Sequence, residues 1–486
     1  ALGASSRADG FYEGNGLLVS WCVGHLVSPM DAGGYDENFK KWRYDDLPIL
    51  PEPFRYVLTP GKEGAFENLR ALMDRPDVDT IVNACDAGRE GELIFKRVYD
   101  LARCQKPVKR LWISSMEDEA IQNGFRCLKD GSDYIGLCNA AVCRAQADWL
   151  IGMNATRAYT TRYLKRLVVG RVQTPTLAML TERKEKVENF QKEAYYKVSL
   201  SDGKMTVTSE NILSEKEAED LQKLCNGADA IVTKVKKEQK KISPPKLYDL
   251  TSLQREANRF FGYTAKKTLD MLQELYEEKM VTYPRTDSQY VTEDMKETVE
   301  MLMNGMIEFL PFLKSGQIGG NPERVINNAK VSDHHAILPT KEALENGMEG
   351  LSDGKKNLML LIGQQLVQAT GEDYRCEQTE ITVQCKEHEF TAKGKRPVQM
   401  GFKEAEETFR KSCVKAKKED ESESRNAIPE GYKEKMVLSG VKAEKSTHYT
   451  SPPKMFTEDT LLAAMETAGN KEFDSETEKK GLGTPA

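Results

Sequence analysis

The stretch from Asp79 to Ala102 constrains the fold more than any other. Thr80-Ile81-Val82-Asn83-Ala84-Cys85 is a short apolar run bounded by turn-formers, which reads as a central parallel strand. Asp86-Ala87-Gly88-Arg89-Glu90-Gly91-Glu92 follows, and Leu93 to Leu101 then carries the pattern of an amphipathic helix. Strand, acidic turn and helix in succession place this part of the chain in an open α/β sheet. Such sheets present ligand sites at the carboxyl edge, where strands hand over to helices. Asp86 and Glu90 stand there, and two carboxylates can hold Mg²⁺ when waters and phosphate oxygens complete its octahedron. The same two acids also fit a plain helix N-cap with dipole-favourable charge, so Asp-x-x-x-Glu by itself leaves both readings open.

A second unusual segment is Val281-Thr282-Tyr283-Pro284-Arg285-Thr286-Asp287-Ser288. Upstream, Thr268, Leu269, Leu272 and Leu275 mark an amphipathic helix that ends near Lys279. Pro284 disfavours the helical region for Tyr283, so the tyrosine is expected on extended backbone with its hydroxyl free to project. A phenol with a pKa of about 10 is a weak nucleophile at neutral pH. Arg285, two residues on, would lower that pKa or neutralise an anion under attack. An isolated Tyr-x-Arg would more often be a simple Tyr-Pro turn.

The first residues, Ala1 to Gly10, read as the tail of a helix followed by a turn, and Leu17 to Val23 as a buried strand delivering Gly24-His25-Leu26. Leu111 to Ser114 reads as a further strand, with Ser114 and Glu117 in a capping-box pattern. Helical periodicity dominates from Asp133 to Leu180. Within it, Arg157, Arg162, Lys165, Arg166 and Arg171 lie in a stretch without a single acid, with Tyr159 and Tyr163 between them. In a net-acidic chain this pattern suits backbone contact and base stacking on single-stranded nucleic acid. Ala194 to Val235 reads as short strands, Lys234 to Lys241 as an exposed lysine-rich connector, and Thr379 to Lys393 as strand again. Lys411 to Arg425 reads as a charged flexible loop. Ser332-Asp333-His334-His335 pairs two histidines, but no further Cys or His stands near, which argues against zinc.

Composition sets limits. A chain of 486 residues holds about three domains and can bury a large core. A net charge of −6 means that any positive surface for DNA must be concentrated in a groove. No apolar run is long enough to span a membrane. Ten cysteines without any Cys-x-x-Cys point to a reducing, cytosolic setting. Gly-Lys at Gly61, Gly203, Gly354 and Gly394 is never followed by Ser or Thr, so there is no Walker A loop for ATP.

Taken together, the motifs resemble type IA DNA topoisomerases, in the topoisomerase III-like branch. The eight residues around Tyr283 resemble that family's active-site segment. Asp86 to Glu92 resembles the metal-binding element of its Toprim domain, with Gly88 at a position where most members have a second Asp. Ser20 to Leu26 resembles part of the first domain. Arg144 to Gly152 and Val169-Gly170-Arg171-Val172-Gln173-Thr174-Pro175 resemble the DNA-contacting helix and motif. His334 matches the histidine of the family's Asp-His-x-Ala-Ile-x-Pro motif, and Tyr449 to Lys454 with Thr457 to Leu462 resembles its late helical domain.

The resemblance implies a multidomain α/β, α and β architecture, a Toprim domain joined to a toroidal core. The expected divisions are a Toprim domain over 1–132 and a helical DNA-binding gate region over 133–193, completed by about 430–486. A β-rich arch is expected over 194–245 and 345–429, and a catalytic-tyrosine domain over 246–344. It implies Tyr283 as nucleophile, Arg285 and His334 as phosphoryl stabilisers, and Asp86 and Glu90 as Mg²⁺ ligands. His25, Arg144, Asp148, Val168, Val169, Gly170, Arg171, Val172 and Gln173 are the implied DNA contacts. Single-stranded and negatively supercoiled DNA are the implied partners, with a helicase as a candidate partner and with neither ATP nor membrane; the setting is a bacterial-type cytosol. The rival readings are another Toprim nuclease or primase and a catalytically impaired DNA-binding relative. Family members begin with a strand carrying a Glu-Lys-Pro-Ser-like segment that does not occur before Trp21, and relatives continue beyond Ala486. The expectation is therefore a fragment lacking that strand, its glutamate and its lysine, which binds DNA but relaxes it poorly.

Overall fold

A computed structural model describes residues 1–114, 116–313, 320–331, 334–413, 428–469 and 481–482. It opens on an antiparallel meander, β1 (Ser6–Ala8), β2 (Phe11–Gly14) and β3 (Leu17–Ser20). The expected helix tail over Ala1 to Gly10 is thus replaced by strand. Asp9-Gly10 and Asn15-Gly16 supply the hairpin turns, and Asn15, Gly10 and Gly16 adopt positive φ as tight connections require. β3 is only partly buried, whereas the sequence pattern suggested a core strand.

β4 (Val27–Pro29) pairs with β5 (Tyr56–Leu58), and α1 (Ala32–Tyr35) lies between them in sequence. With α2 (Glu63–Asp74) they build a small core from Leu26, Val27, Phe66 and Met73. Then comes the expected parallel unit: β6 (Ile81–Asn83) pairs in parallel with β7 (Val108–Arg110) through α3 (Arg89–Leu101). Among the described residues β7 takes the middle position, between β6 and β8 (Lys129–Asp130), so β6 is not the central strand. Leu111 to Ser114, expected as strand, lies just past the end of β7. The helix that follows, α4 (Asp118–Arg126), has Glu117 as N-cap rather than Ser114, whose hydroxyl is engaged elsewhere.

The helical region is α5 (Ile135–Tyr163), which ends where Leu164 turns left-handed, and α6 (Gln173–Glu188). β9 (Ala194–Ser201), β10 (Thr206–Thr208) and β11 (Ala230–Ile242) follow, with α7 (Glu215–Cys225) inserted among them, a helix the alternating texture concealed. Later strands join the same sheet: β12 (Tyr374–Cys385), β13 (His388–Gln399), β14 (Val437–Leu438) and β15 (Lys442–Tyr449). The order is β14-β11-β12-β13-β10-β9-β15, all antiparallel. Ala218, Leu221 and Cys225 of α7 close its core over Val198, Val232, Val383 and Phe390.

Lys234 to Lys241 is therefore strand, not connector. It pairs along β12 from Lys234–Thr382 to Lys241–Arg375. After Val232 no side chain of β11 is fully buried, so the segment shows no apolar alternation and is held by its ladder.

A third core is helical. α8 (Leu250–Phe261), α9 (Ala265–Glu277), α10 (Lys296–Phe309), α11 (Lys341–Asn346), α12 (Asp353–Thr370) and α13 (Lys403–Cys413) surround it. Leu253, Leu272, Leu275, Leu302, Met306, Leu361 and Phe409 are all buried there. At roughly 2 kcal/mol for each large apolar side chain, this is the main stabilising mass behind the Tyr283 segment. α14 (Glu458–Thr467) lies against α8. Most of the charged stretch from Lys411 to Arg425 falls outside the described residues, as do Ser332 and Asp333. No described helix is long and apolar enough to cross a membrane.

Candidate active site between the α/β and helical units

α9 stops because Lys279 takes a positive φ, and Met280 N–H closes the turn on Leu275 O. The chain then runs extended beside residues 334–340. Thr282 N–H donates to Leu338 O at 3.0 Å, and Thr282 Oγ1 receives Leu338 N–H at 2.9 Å. Thr286 Oγ1 donates to His334 O at 3.0 Å and accepts Ser288 N–H at 3.1 Å. Pro284 has no N–H to give, so buried hydroxyls take over the lacing of the two segments. The spacing of Thr282, Thr286 and Ser288 follows from that need. As a result the rings of Tyr283 and His334 stack at 4.1 Å between centroids, 27° apart, with Tyr276 edge-on to Tyr283 at 5.5 Å.

The other half of the site comes from the α/β unit. Tyr283 N–H donates to Ser114 O at 3.0 Å, and Ser114 Oγ lies 3.1 Å from His334 Nδ1. The Tyr283 hydroxyl donates to Asp86 Oδ2 at 3.3 Å. Trp112 continues the aromatic column, stacked on His334 at 6.2 Å and on Tyr134 at 4.9 Å. Tyr283 is 8% exposed, so its hydroxyl is not free to project, as Pro284 alone suggested. Docking of the second unit buries it.

Asp86 is held by its backbone. The guanidinium of Arg110 is 1% exposed and donates to the carbonyls of Asn83, Cys85 and Leu111 through Nη1 and to that of Asp86 through Nη2. Its Nε sits 2.6 Å from Glu92 Oε1 in a buried ion pair, off the line of a hydrogen bond. Gly91 is required at its place because a Cβ there would stand 1.9 Å from Asp86 O. Gly88 is extended, with open space where a Cβ would be. Glu90, on the first turn of α3, reaches His25 Nε2 at 3.4 Å, and that contact holds its carboxyl below the usual range. The two acids thus start from one turn but face different partners. Among the described residues no three His, Cys, Asp or Glu side chains converge on one point.

Burial raises the Tyr283 phenol well above its ordinary pKa, and the charge of Asp86 adds to the rise. Arg285 pulls the other way and is outweighed. Docked, Tyr283 is a protected, protonated phenol. Burial also lowers His334 to about 4, with the Ala87 backbone partly offsetting it, so the imidazole is neutral. Its Nε2 is buried without a hydrogen-bond partner among the described residues.

The residues marked for DNA contact form a strip next to this site. Arg144 is exposed on α5, and burial followed by the nearby Arg171 and Arg89 lowers its pKa. Arg171 Nε pairs with Asp148 Oδ1 at 2.8 Å. Val169 is pinned through both backbone groups to Thr156 Oγ1, Gly170 N–H caps onto Thr174 Oγ1, and Val172 with Gln173 begins α6. Val168, Tyr159 and Tyr163 are exposed, the two tyrosines stacked on each other at 6.1 Å. Arg157 departs from the basic-run reading. It is buried under Trp42, donates to Phe39 O, and lines a cleft of about 670 Å³ with Asp31, Glu37 and Met153.

The profile of a family described as DNA topoisomerase matches residues 132–486. The chain belongs to the DNA topoisomerase family. It is a type IA, topoisomerase III-like member. DNA topoisomerase 3 of Bacillus subtilis is 38% identical over 99% of this chain and 66% of its own length. That of Bacillus licheniformis is 39% identical over 96% and 64%, and that of Shouchella clausii 39% over 100% and 68%. The chain therefore spans about two thirds of the length of these relatives. In fold it is similar to full-length topoisomerase I from Thermotoga maritima, with a TM-score of 0.69, 21% identity, and coverage of 91% of this chain and 70% of that one.

Sequence reasoning missed Arg110, Ser114 and Trp112, which organise the site from the α/β side. Their one signal was the Arg-Leu-Trp-Ile-Ser string that begins on the last residue of β7, at the sheet edge where ligands gather. It read as strand and cap.

Proposed function

We propose that this chain carries ATP-independent type IA topoisomerase chemistry. Tyr283 Oη attacks a phosphorus of single-stranded DNA, a Tyr283 O–P bond forms to the 5′-phosphate as the P–O3′ bond breaks, and the 3′-oxygen takes a proton from water to leave as a hydroxyl. A second strand passes through the gap, and the hydroxyl then attacks back and frees Tyr283. The phosphotyrosine keeps the energy of the broken bond, so no nucleotide is consumed. The observation that carries this reading is the stack of Tyr283 on His334, with the phenol hydrogen-bonded to Asp86.

In this reading Asp86 accepts the hydroxyl proton at the start, while Arg285 and neutral His334 Nε2 stabilise phosphoryl charge. Asp86 and Glu90 would hold Mg²⁺. Two exposed oxygen donors on one turn suit an ion that keeps most of its shell as water and phosphate. When bound, the ion supplies positive charge beside the phosphoryl group. His25, Arg144, Asp148 and the Val168–Gln173 segment would track the strand backbone. The division proposed is a Toprim domain over 1–132, a gate region over 133–193 with about 430–486, an arch over 194–245 and 345–429, and a tyrosine domain over 246–344, except that α12 and α13 pack into the helical core and β14 and β15 belong to the large sheet. The substrates would be single-stranded and negatively supercoiled DNA, in a bacterial cytosol, with a helicase as candidate partner.

The test uses a single-stranded oligonucleotide labelled at its 3′ end, Mg²⁺ and a denaturing gel. The wild-type chain should give a covalent adduct. Tyr283→Phe should give none while binding the oligonucleotide unchanged, because affinity comes from backbone contacts. An adduct in the Phe variant would remove Tyr283 as nucleophile, and binding without any adduct in the wild type would mark a catalytically impaired relative.

A further inference from the structure

Ser114 touches both members of the reacting pair without belonging to their unit. Its carbonyl receives Tyr283 N–H at 3.0 Å and its hydroxyl stands 3.1 Å from His334 Nδ1. Tyr283 and His334 are laced to each other within the helical unit by Thr282 and Thr286. Ser114 comes from the α/β unit, just past β7, where Arg110 ties the strand end to the Asp86 turn. Both Ser114 bonds therefore form when the two units dock and break together when they part.

A neutral imidazole has two tautomers, and the hydrogen bond at one nitrogen decides which nitrogen carries the proton. His334 Nε2 is buried and closes no hydrogen bond of good geometry among the described residues, while the Ala87 backbone is a further polar group near the ring, so Ser114 Oγ at Nδ1 is the side-chain contact that orients it. A serine hydroxyl that donates to Nδ1 leaves the proton on Nε2. Nε2–H is then a donor held ready for a phosphoryl oxygen.

Resting on the function proposed above, we propose that Ser114 is a positioning residue, which fixes the Nε2–H tautomer of His334 and the backbone of Tyr283 only while the units are docked. Cleavage is thereby tied to the closed arrangement. With the units apart, His334 loses its Nδ1 partner at the same moment that Tyr283 loses its backbone anchor. Ser114 touches no reacting atom, so its removal should slow adduct formation without weakening strand binding.

The experiment compares single-turnover adduct formation, on the full chain with a 3′-labelled oligonucleotide, for wild type, Ser114→Ala, Ser114→Thr, His334→Ala and the Ser114→Ala/His334→Ala pair. Ser114→Ala should slow the step about tenfold, the lower end of the loss seen when the partner that orients a metal-ligating histidine is removed. Ser114→Thr, which keeps the hydroxyl, should retain most of the rate. In the His334→Ala background Ser114→Ala should add little, because the two act as one unit. A wild-type rate in Ser114→Ala, or the same slowing with and without His334, would overturn the proposal. Histidine ¹⁵N spectra give a readout that needs no DNA. His334 should show a single Nε2–H tautomer in the wild type and a mixture in Ser114→Ala. An unchanged spectrum would overturn the positioning role even if Tyr283 proves to be the nucleophile, and a changed one would stand even if it does not.

Discussion

Burial of His334 links the stability of the fold to pH. Folded, it stays neutral down to about pH 4, whereas an exposed histidine protonates near 6.5. Between those values the unfolded chain binds the extra proton and the folded chain does not. Stability from this group is full above pH 6.5 and is lost as pH falls toward 4, by at most about 3 kcal/mol. Burial lowers His335 as well, which adds a loss of the same sign. Urea midpoints at pH 7 and pH 5 check this. His334→Gln should shrink the acid-side drop, and an equal drop in both proteins would assign it to other groups. Tyr283→Phe should cost little in the same assay, about 1 kcal/mol or less, since it removes one long hydrogen bond to an exposed carboxylate.

At the scale of the element, the β6–α3 turn is built to present a carboxylate while its backbone is locked. Gly91→Ala would drive a methyl into Asp86 O and loosen the Arg110 anchor, which should destabilise by about 1–3 kcal/mol. Thermal melts measure that, and a melt like the wild type's would mean that the turn relaxes freely. Gly88→Asp has the opposite outlook. Its backbone is extended and its surroundings are open, so the third carboxylate should fold in without strain. If Asp86 and Glu90 hold Mg²⁺, the variant should reach half-maximal adduct at lower Mg²⁺, and Asp86→Ala or Glu90→Ala at higher Mg²⁺. Identical titrations for all three would remove the metal from this turn.

Across the whole molecule, the helical unit meets its neighbours through polar contacts and the Trp112–His334 stack. On one side are Tyr283–Asp86, His334–Ser114 and Lys279–Asp118, the last at 2.7 Å. On the other, Arg255 pairs with Asp459 at 2.8 Å and Glu466 at 3.3 Å, while Asp459 N–H and Ala265 N–H find Asn258 and Glu458. The buried apolar clusters of the helical unit, the large sheet and the α/β unit are separate from one another. Docking between separate cores rests on few contacts, and parting would expose Tyr283 and His334 while leaving the rest of each core covered. Arg255→Ala removes both ion pairs to α14 and should weaken that contact by about 1 kcal/mol. Hydrogen exchange along residues 458–467 should quicken severalfold. Unchanged exchange would show that α14 is held elsewhere.

The sequence by itself determined what depends on local periodicity and on nearby chemistry. It held the strand, acidic turn and helix around Asp86, the amphipathic helix before Tyr283, the strand texture of residues 379–393, and the residue types that gather at the site. Asn15-Gly16 is a legible hairpin signal, and Asp9-Gly10 reads correctly as a turn, but one between strands rather than after a helix. α7 and the exposed half of β11 were hidden, because a helix within a β-textured stretch and a strand without a buried face break the periodic signal. Only the tertiary structure decided that Tyr283 is buried rather than projecting, that Arg157 supports Trp42 rather than facing solvent, and that Ser114 serves a histidine rather than a helix. Ser114 and His334 are 220 positions apart. Which of its hydrogen-bonding options a serine uses depends on what another unit of the chain brings within 3 Å, and no local pattern carries that information.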